Sequence, residues 1–143
     1  MGINFEQTAN GDFELEGVNG QGFGWLDATV TYDPTSNATN VAMVATRAMR
    51  VKAITGRVQA AGTDAGAVTA TVYKAPSGTA IASGTALHSG TFNLKGTAST
   101  NQTLTLSTTA GVLDIAAGDT IGVIYTGVLT TATGGISVAL TPR

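Results

Sequence analysis

The chain contains no cysteine. That excludes disulfides and thiolate metal sites, so the staples that hold many small secreted domains together are absent. Charge is scarce too, with Asp, Glu, Lys and Arg making up 11% of residues. Histidine occurs once, at His88, and one His cannot form a typical zinc site. No apolar run approaches the ~18 residues that a membrane-spanning helix needs, so no membrane partner is expected. The opening MGINFEQTANG lacks the basic start and apolar stretch of a signal peptide. Glu6 also spoils the myristoylation pattern that this opening otherwise follows. The expectation is a chain made and used without export by the usual route. Glu, Lys and Gln, which favour long helices, are few.

What the chain has instead is threonine, its commonest residue, followed by alanine and 19 glycines. Threonine suits the pleated, half-buried surface of a sheet, and glycine and asparagine suit turns. A length of 143 residues fits one domain. Such a chain buries about two-thirds of its unfolded surface, enough for a real core.

Period-two patterns carry the rest of the fold reading. WLDATVTY from Trp25 reads as a first strand, stopped by the turn formers DPTSNATN. VAMVATR follows from Val41. MRVKAITGRVQAA then alternates Met49, Val51 and Ala53 against Arg50 and Lys52, with Gly56 as the expected site of a bulge or bend. AVTATVYKA puts Val68, Ala70 and Val72 on one face. Leu104 with Leu106, then Ile121, Val123 and Tyr125, then Ile136, Val138 and Leu140 do the same in later strands. About eight short strands separated by turn signals predict a single antiparallel β-sandwich over residues 25–143. Residues 1–24, rich in glycine and without steady alternation, read as an extended N-terminal arm. No fixed-period repeat is present, which excludes a solenoid or propeller.

The most site-like stretch is LDIAAGDTIGVIYTG, Leu113 to Gly127. Asp119 at its centre is either a carboxylate at a strand mouth or the residue that turns the chain. Gly118 can take positive φ and an Asp can accept a backbone N–H two residues on, so the turn reading is preferred. Catalysis would need partners, and none is evident. Asp64 and Asp114 also sit in turn-like contexts. His88 adjoins Ser89, but no nucleophile elbow surrounds them; a surface or hydrogen-bonded strand residue is the simpler role. GQGFG lies in an acidic segment with no helix after it, which is unlike a phosphate cradle. Asp12, Glu14 and Glu16 alternate, yet calcium needs six to eight oxygens and an EF-hand spacing is missing. Asn37-Ala38-Thr39 and Asn101-Gln102-Thr103 match the glycosylation pattern and read as turns. No catalytic residue, cofactor or metal is expected, and no enzyme activity.

Charge is unevenly spread along the chain. Residues 1–40 hold Glu6, Asp12, Glu14, Glu16, Asp27 and Asp33 and no cation; all seven Lys and Arg lie later, against Asp64, Asp114 and Asp119. Arg47, Arg50, Lys52 and Arg57 cluster within residues 47–57. Such blocks mark either interaction segments or solvated faces. Nucleic-acid binding would want aromatic platforms among the basic residues. There are none, so no nucleic-acid partner is expected. Trp25, Tyr32 and Tyr73 are conceivable sugar contacts, but a core or interface role suits them better.

The stretch LDIAAGDTIG resembles the entry to a late core strand in jelly-roll sandwiches, including carbohydrate-binding modules, C1q/TNF-like heads and capsid-associated domains. From Arg47 onward, with YKAPSGTAIASG and AAGDTIGV as the distinctive pieces, the chain resembles head decoration (cement) proteins of tailed bacteriophages. That resemblance implies a jelly-roll-like fold and a homotrimer bound to the major capsid protein on the outer surface of the virion. It also implies assembly in the cytoplasm of the bacterial host. It points to no individual contact residue. The alternative is a receptor- or carbohydrate-binding sandwich of a tail fibre or surface protein.

Overall fold

The computed structural model describes residues 24–36 and 38–143 in full, together with the backbone of Asn4–Gln7 and Phe13–Glu16. Those two N-terminal segments, β1 and β2, pair as an antiparallel hairpin with Asn4 opposite Glu16. Residues 1–3, 8–12 and 17–23 of the arm read over residues 1–24, and Asn37 of the first glycosylation-like triplet, lie outside the described residues.

Alternation in sequence becomes alternation in space. β3 (Leu26–Tyr32) buries Ala28, Val30 and Tyr32 and turns Asp27, Thr29 and Thr31 out. The turn formers after it act through Asp33, whose Oδ1 accepts from the Thr35 amide at 2.8 Å and the Thr35 hydroxyl at 2.7 Å. Pro34 stands at the second turn position, where its fixed φ is suited. β4 (Thr39–Val44) leads to the long β5 (Met49–Ala60), and β6 (Thr69–Ala75) returns. Val68, Ala70 and Val72 are fully buried, as their spacing predicts.

Two strand positions are then broken into pairs of short pieces. β7 (Thr85–Ala86) and β8 (Phe92–Asn93) both pair with β6. β9 (Thr100–Thr103) and β10 (Asp114–Ile115) pair with the two ends of β5. β11 (Thr120–Thr126) and β12 (Thr133–Pro142) complete the chain. The only helical piece among the described residues is a 3-10 turn at Ile81–Ser83.

One sheet runs β10-β5-β12-β3 with β9 beside β5, and the other runs β4-β11-β6-β7 with β8 beside β6. All pairings are antiparallel. Counting each broken pair as one strand gives eight positions that interleave between two four-stranded sheets, the order of a jelly roll. The core between the sheets joins Val30, Ile54, Val72, Phe92, Ile121, Val123, Ile136 and Leu140.

Three sequence expectations need correction. β5 does not keep Ala53 with Met49 and Val51. Its pairing with β12 skips a residue between Ala53 and Val51, and from there Ile54, Gly56 and Val58 face inward. Gly56 is therefore not the bulge. It pairs in register with Ile136, and its missing side chain makes room for Phe92: a Cβ there would sit 2.8 Å from the ring. Leu104 and Leu106 are partly buried at the core margin, because β9 ends at Thr103.

Gly56→Ala should destabilise the fold by about 1–3 kcal/mol, the usual cost of forcing an atom into a filled core. Urea unfolding measures it. Combining the change with Phe92→Leu should cost less than the two single changes added together, because the smaller side chain vacates the contested space.

Candidate assembly surfaces

Asp119 closes a turn. Its amide donates to Ala116 O at 3.1 Å, Gly118 has φ of 90°, and its Oδ2 accepts from the Ala116 amide at 2.9 Å. Glycine at the third position with positive φ defines a type II turn. The side chain thus reaches back three residues, where the sequence suggested two residues forward. The turn is also anchored: Gly118 N donates to Ala45 O at 2.7 Å and Ala45 N to Asp119 O at 2.8 Å. Loss of the side-chain bond by Asp119→Ala should cost about 1 kcal/mol, by analogy with capping bonds. Asp119→Asn keeps an acceptor oxygen and should cost less, as measured by thermal and urea melts.

His88 is buried in the sandwich. Its Nε2 accepts from the Val72 amide at 2.9 Å, and its ring meets Phe92 edge-on at 5.8 Å. An acceptor nitrogen carries no proton, so the ring is neutral here. Burial holds its pKa below the ordinary value of 6.5, against weaker opposing bonds from the Ser89 and Gly90 backbone. With the folded-state pKa depressed, the unfolded chain takes up the proton first. The stability contribution is complete above pH 6.5 and is lost as pH falls through the folded-state value. Melting temperature should accordingly decline as pH drops below 6.5, and His88→Gln should flatten that decline. An unchanged slope in the variant would assign the effect elsewhere.

The aromatic candidates part company. Tyr32 is a core residue whose hydroxyl donates to Arg57 O at 3.2 Å and whose ring lies 5.7 Å from Tyr125. Burial pushes the Tyr125 phenol up to about 12; Asn40 pulls weakly the other way and Tyr32 adds to the rise. Asn40 nevertheless makes no hydrogen bond of ordinary geometry to Tyr125, whose hydroxyl has no partner. Tyr73 is half-buried on an outer face, and Trp25 is 71% exposed.

Of the basic cluster, Arg50, Lys52 and Arg57 are spread along β5 and Arg47 lies in the loop before it, so the four do not form a single site. Arg50 and Arg143 clasp Asp114 at 2.8 and 2.6 Å. Both guanidiniums are solvated although Asp114 is only partly exposed, so each pair contributes about 0–1 kcal/mol. Arg57 donates to Gln59 and Asn101 side chains at 3.2 Å each, which places Asn101 beside a guanidinium. Among the described residues Arg47, Lys52 and Arg57 have no carboxylate within ion-pair distance. Lys74 and Lys95 instead donate to backbone carbonyls, of Gly111 and Asp114 and of Asp64 and Gly66 respectively.

Two features were beyond sequence reasoning. One is an open trough of about 520 Å³ on the outer face of the β5 sheet, floored by Gly134 and Gly135 and walled by Thr29, Thr55, Arg57 and Ser137. It gathers β3, β5, β9 and β12, so no local signal marks it. The other is the outer face of the opposite sheet, where Val41 and Val44 are 58% and 55% exposed. No group of three His, Cys, Asp or Glu gathers as a metal site among the described residues. No helix is long and apolar enough to cross a membrane.

No family model matches the chain, nor does any curated protein. Its fold is similar to that of a chain in the cyanophage Pam1 capsid asymmetric unit, with a TM-score of 0.52 at 15% identity. The likeness covers 96% of this chain and 98% of that one, and it bears on the fold.

Proposed function

We propose that the chain is a structural virion protein that decorates the outer surface of a phage head and cements it. In this reading it acts as a homotrimer on the major capsid protein, is assembled in the host cytoplasm and has no enzyme activity. The observation that carries the reading is the end-to-end likeness to a chain of a phage capsid, with 96% and 98% of the two chains aligned. The rest of the molecule is compatible. Asp119 and His88, the two residues most suggestive of chemistry, are engaged in a turn and a backbone bond. A cement protein needs a rigid fold and surfaces that bridge neighbours, and a two-sheet sandwich with broad outer faces is compatible with that need.

The acidic residues of 1–40 would meet basic groups of a neighbour or of the shell. Such exposed pairs add about 0–1 kcal/mol each and are screened within about 8 Å at physiological salt, so they tune docking and do not create it. Mass spectrometry of purified virions should find the chain. The purified protein should sediment with heads that lack it, less so as salt is raised. Absence from virions together with failure to bind heads would overturn the reading.

The trough favours a second reading, a receptor- or carbohydrate-binding sandwich. Its threonine hydroxyls and the Arg57 guanidinium, which lacks a carboxylate partner among the described residues, could hold a polar ligand. It lacks the exposed aromatic platform that sugar sites commonly use. Glycan binding abolished by Arg57→Ala, in a protein that does not bind heads, would favour this second role.

A further inference from the structure

The two outer faces of the sandwich differ in charge. The β5 sheet turns Asp27, Arg50, Lys52 and Arg57 outward, with Asp114 beside Arg50. The opposite face is built by β4, β11 and β6. Residues 39–44, 69–94 and 120–128, which contain those strands with β7 and β8, include one Lys, Arg, Asp or Glu, namely Lys74. Lys74 is no part of the outer face. It stands opposite buried Ile121, and its ammonium reaches Gly111 O and Asp114 O at 2.8 and 2.7 Å. What faces outward is Val41, Val44, Ile124 and Tyr73 among threonines. Ile81 of the 3-10 turn covers Gly122 from outside and leaves the strip along β4 open. β4 is also an edge strand. It carries none of the charges or prolines that usually guard an edge, only a register shift opposite Ile121 and Gly122.

We infer that this uncharged face is where one copy of the chain meets another. The argument for a second copy is one of charge. Residues that lie close to a symmetry axis approach their own equivalents, in a trimer as in a dimer, so a face placed on that axis must tolerate its own charges. The β5 face would bring Arg50, Lys52 and Arg57 towards their equivalents, and like charges across an interface are strongly unfavourable. The β4 face brings valine to valine and threonine to threonine. A hydroxyl both donates and accepts, so a threonine surface is complementary to itself. Depletion of charge is also the compositional mark of an interface core. The inference rests on the reading that the chain works as a homo-oligomer. It leaves the charged β5 face, with its trough, free for a different partner.

Sedimentation of the purified protein tests this without any capsid, so failure to bind phage heads would leave it standing. The wild-type chain should associate as concentration rises. Val41→Glu with Val44→Glu should weaken association by at least about tenfold, while the melting curve and circular dichroism stay those of a folded sandwich. Lys52→Glu on the other face should leave association unchanged. Mixing Val41→Glu protein with Val41→Lys protein should restore assembly, a gain that a misfolded variant could not give. A wild-type chain monomeric at every concentration would overturn the inference. So would a double variant that assembles normally, a mixture that does not recover, or Lys52→Glu dissociating the protein as strongly.

Discussion

β5 is the constraint on which the larger sheet depends. It pairs with β12 from Met49 to Ala60, while its other edge takes β10 at one end and β9 at the other. A strand this long outruns one phase of the core. Strict alternation from Met49 would send Ile54 and Val58 to solvent and draw Arg57 inside, where an unpaired guanidinium is very costly. The register shift beside Lys52 adds one residue and changes the phase. Both halves of β5 then bury apolar side chains, and all three of its cations point out. Bulges also increase local twist, which a sheet needs to wrap over its partner.

The second sheet solves a different problem. Its outer strand is broken, β7 and β8 meeting β6 at Tyr73–Lys74 and at Thr69–Ala70. Between them the Val72 amide lies in the core with no strand residue opposite. A buried N–H without an acceptor costs about as much as a lost hydrogen bond. The chain returns two groups to that place: Leu87 N donates to Val72 O at 3.0 Å, and His88 Nε2 accepts from Val72 N. The one histidine thus mends the ladder, and its neutrality is a condition of the mend. Lys74 plays a corresponding part near the C-terminal end of β6, tying β10 and the loop before it to this sheet through two carbonyls.

The sequence revealed local order better than tertiary order. β3, β6, β11 and β12 were legible because each keeps a single phase against one core, and Val68, Val72, Ile121, Val123, Ile136 and Val138 are buried as their spacing requires. Asp119 was legible as a turn because Ala-Gly-Asp carries its own backbone preference, although its side chain bonds backwards. The phase change in β5 was not legible: Lys52-Ala53 contains nothing that specifies an extra residue, and the shift is imposed by β12. Gly56 misled for the same reason. Its smallness answers to Phe92, far along the chain, and not to its own backbone. The trough and the uncharged face required knowledge of which strands share a sheet, and spacing alone does not supply it.

That sheet membership turns an uneven sequence into a two-sided molecule. Along the chain the conspicuous asymmetry is acidic first and basic later. In the fold the asymmetry becomes one between faces, because the cations of β5 share a sheet with Asp27 and Asp114, while β4, β6 and β11 contribute almost no charge. Here the cations of β5 spread over one broad face, while the buried His88 and the half-buried Lys74 are committed to backbone partners. In the proposed reading the molecule joins copies of itself to something else, which calls for surfaces of unlike character, one self-complementary and one able to discriminate by charge. The jelly roll provides them by its strand order, since sequence neighbours such as β4 and β5 fall in opposite sheets. Arg50, Lys52 and Arg57 of β5 are therefore separated from the charge-free β4 by the thickness of the core, with Arg47 in the connection between the two strands.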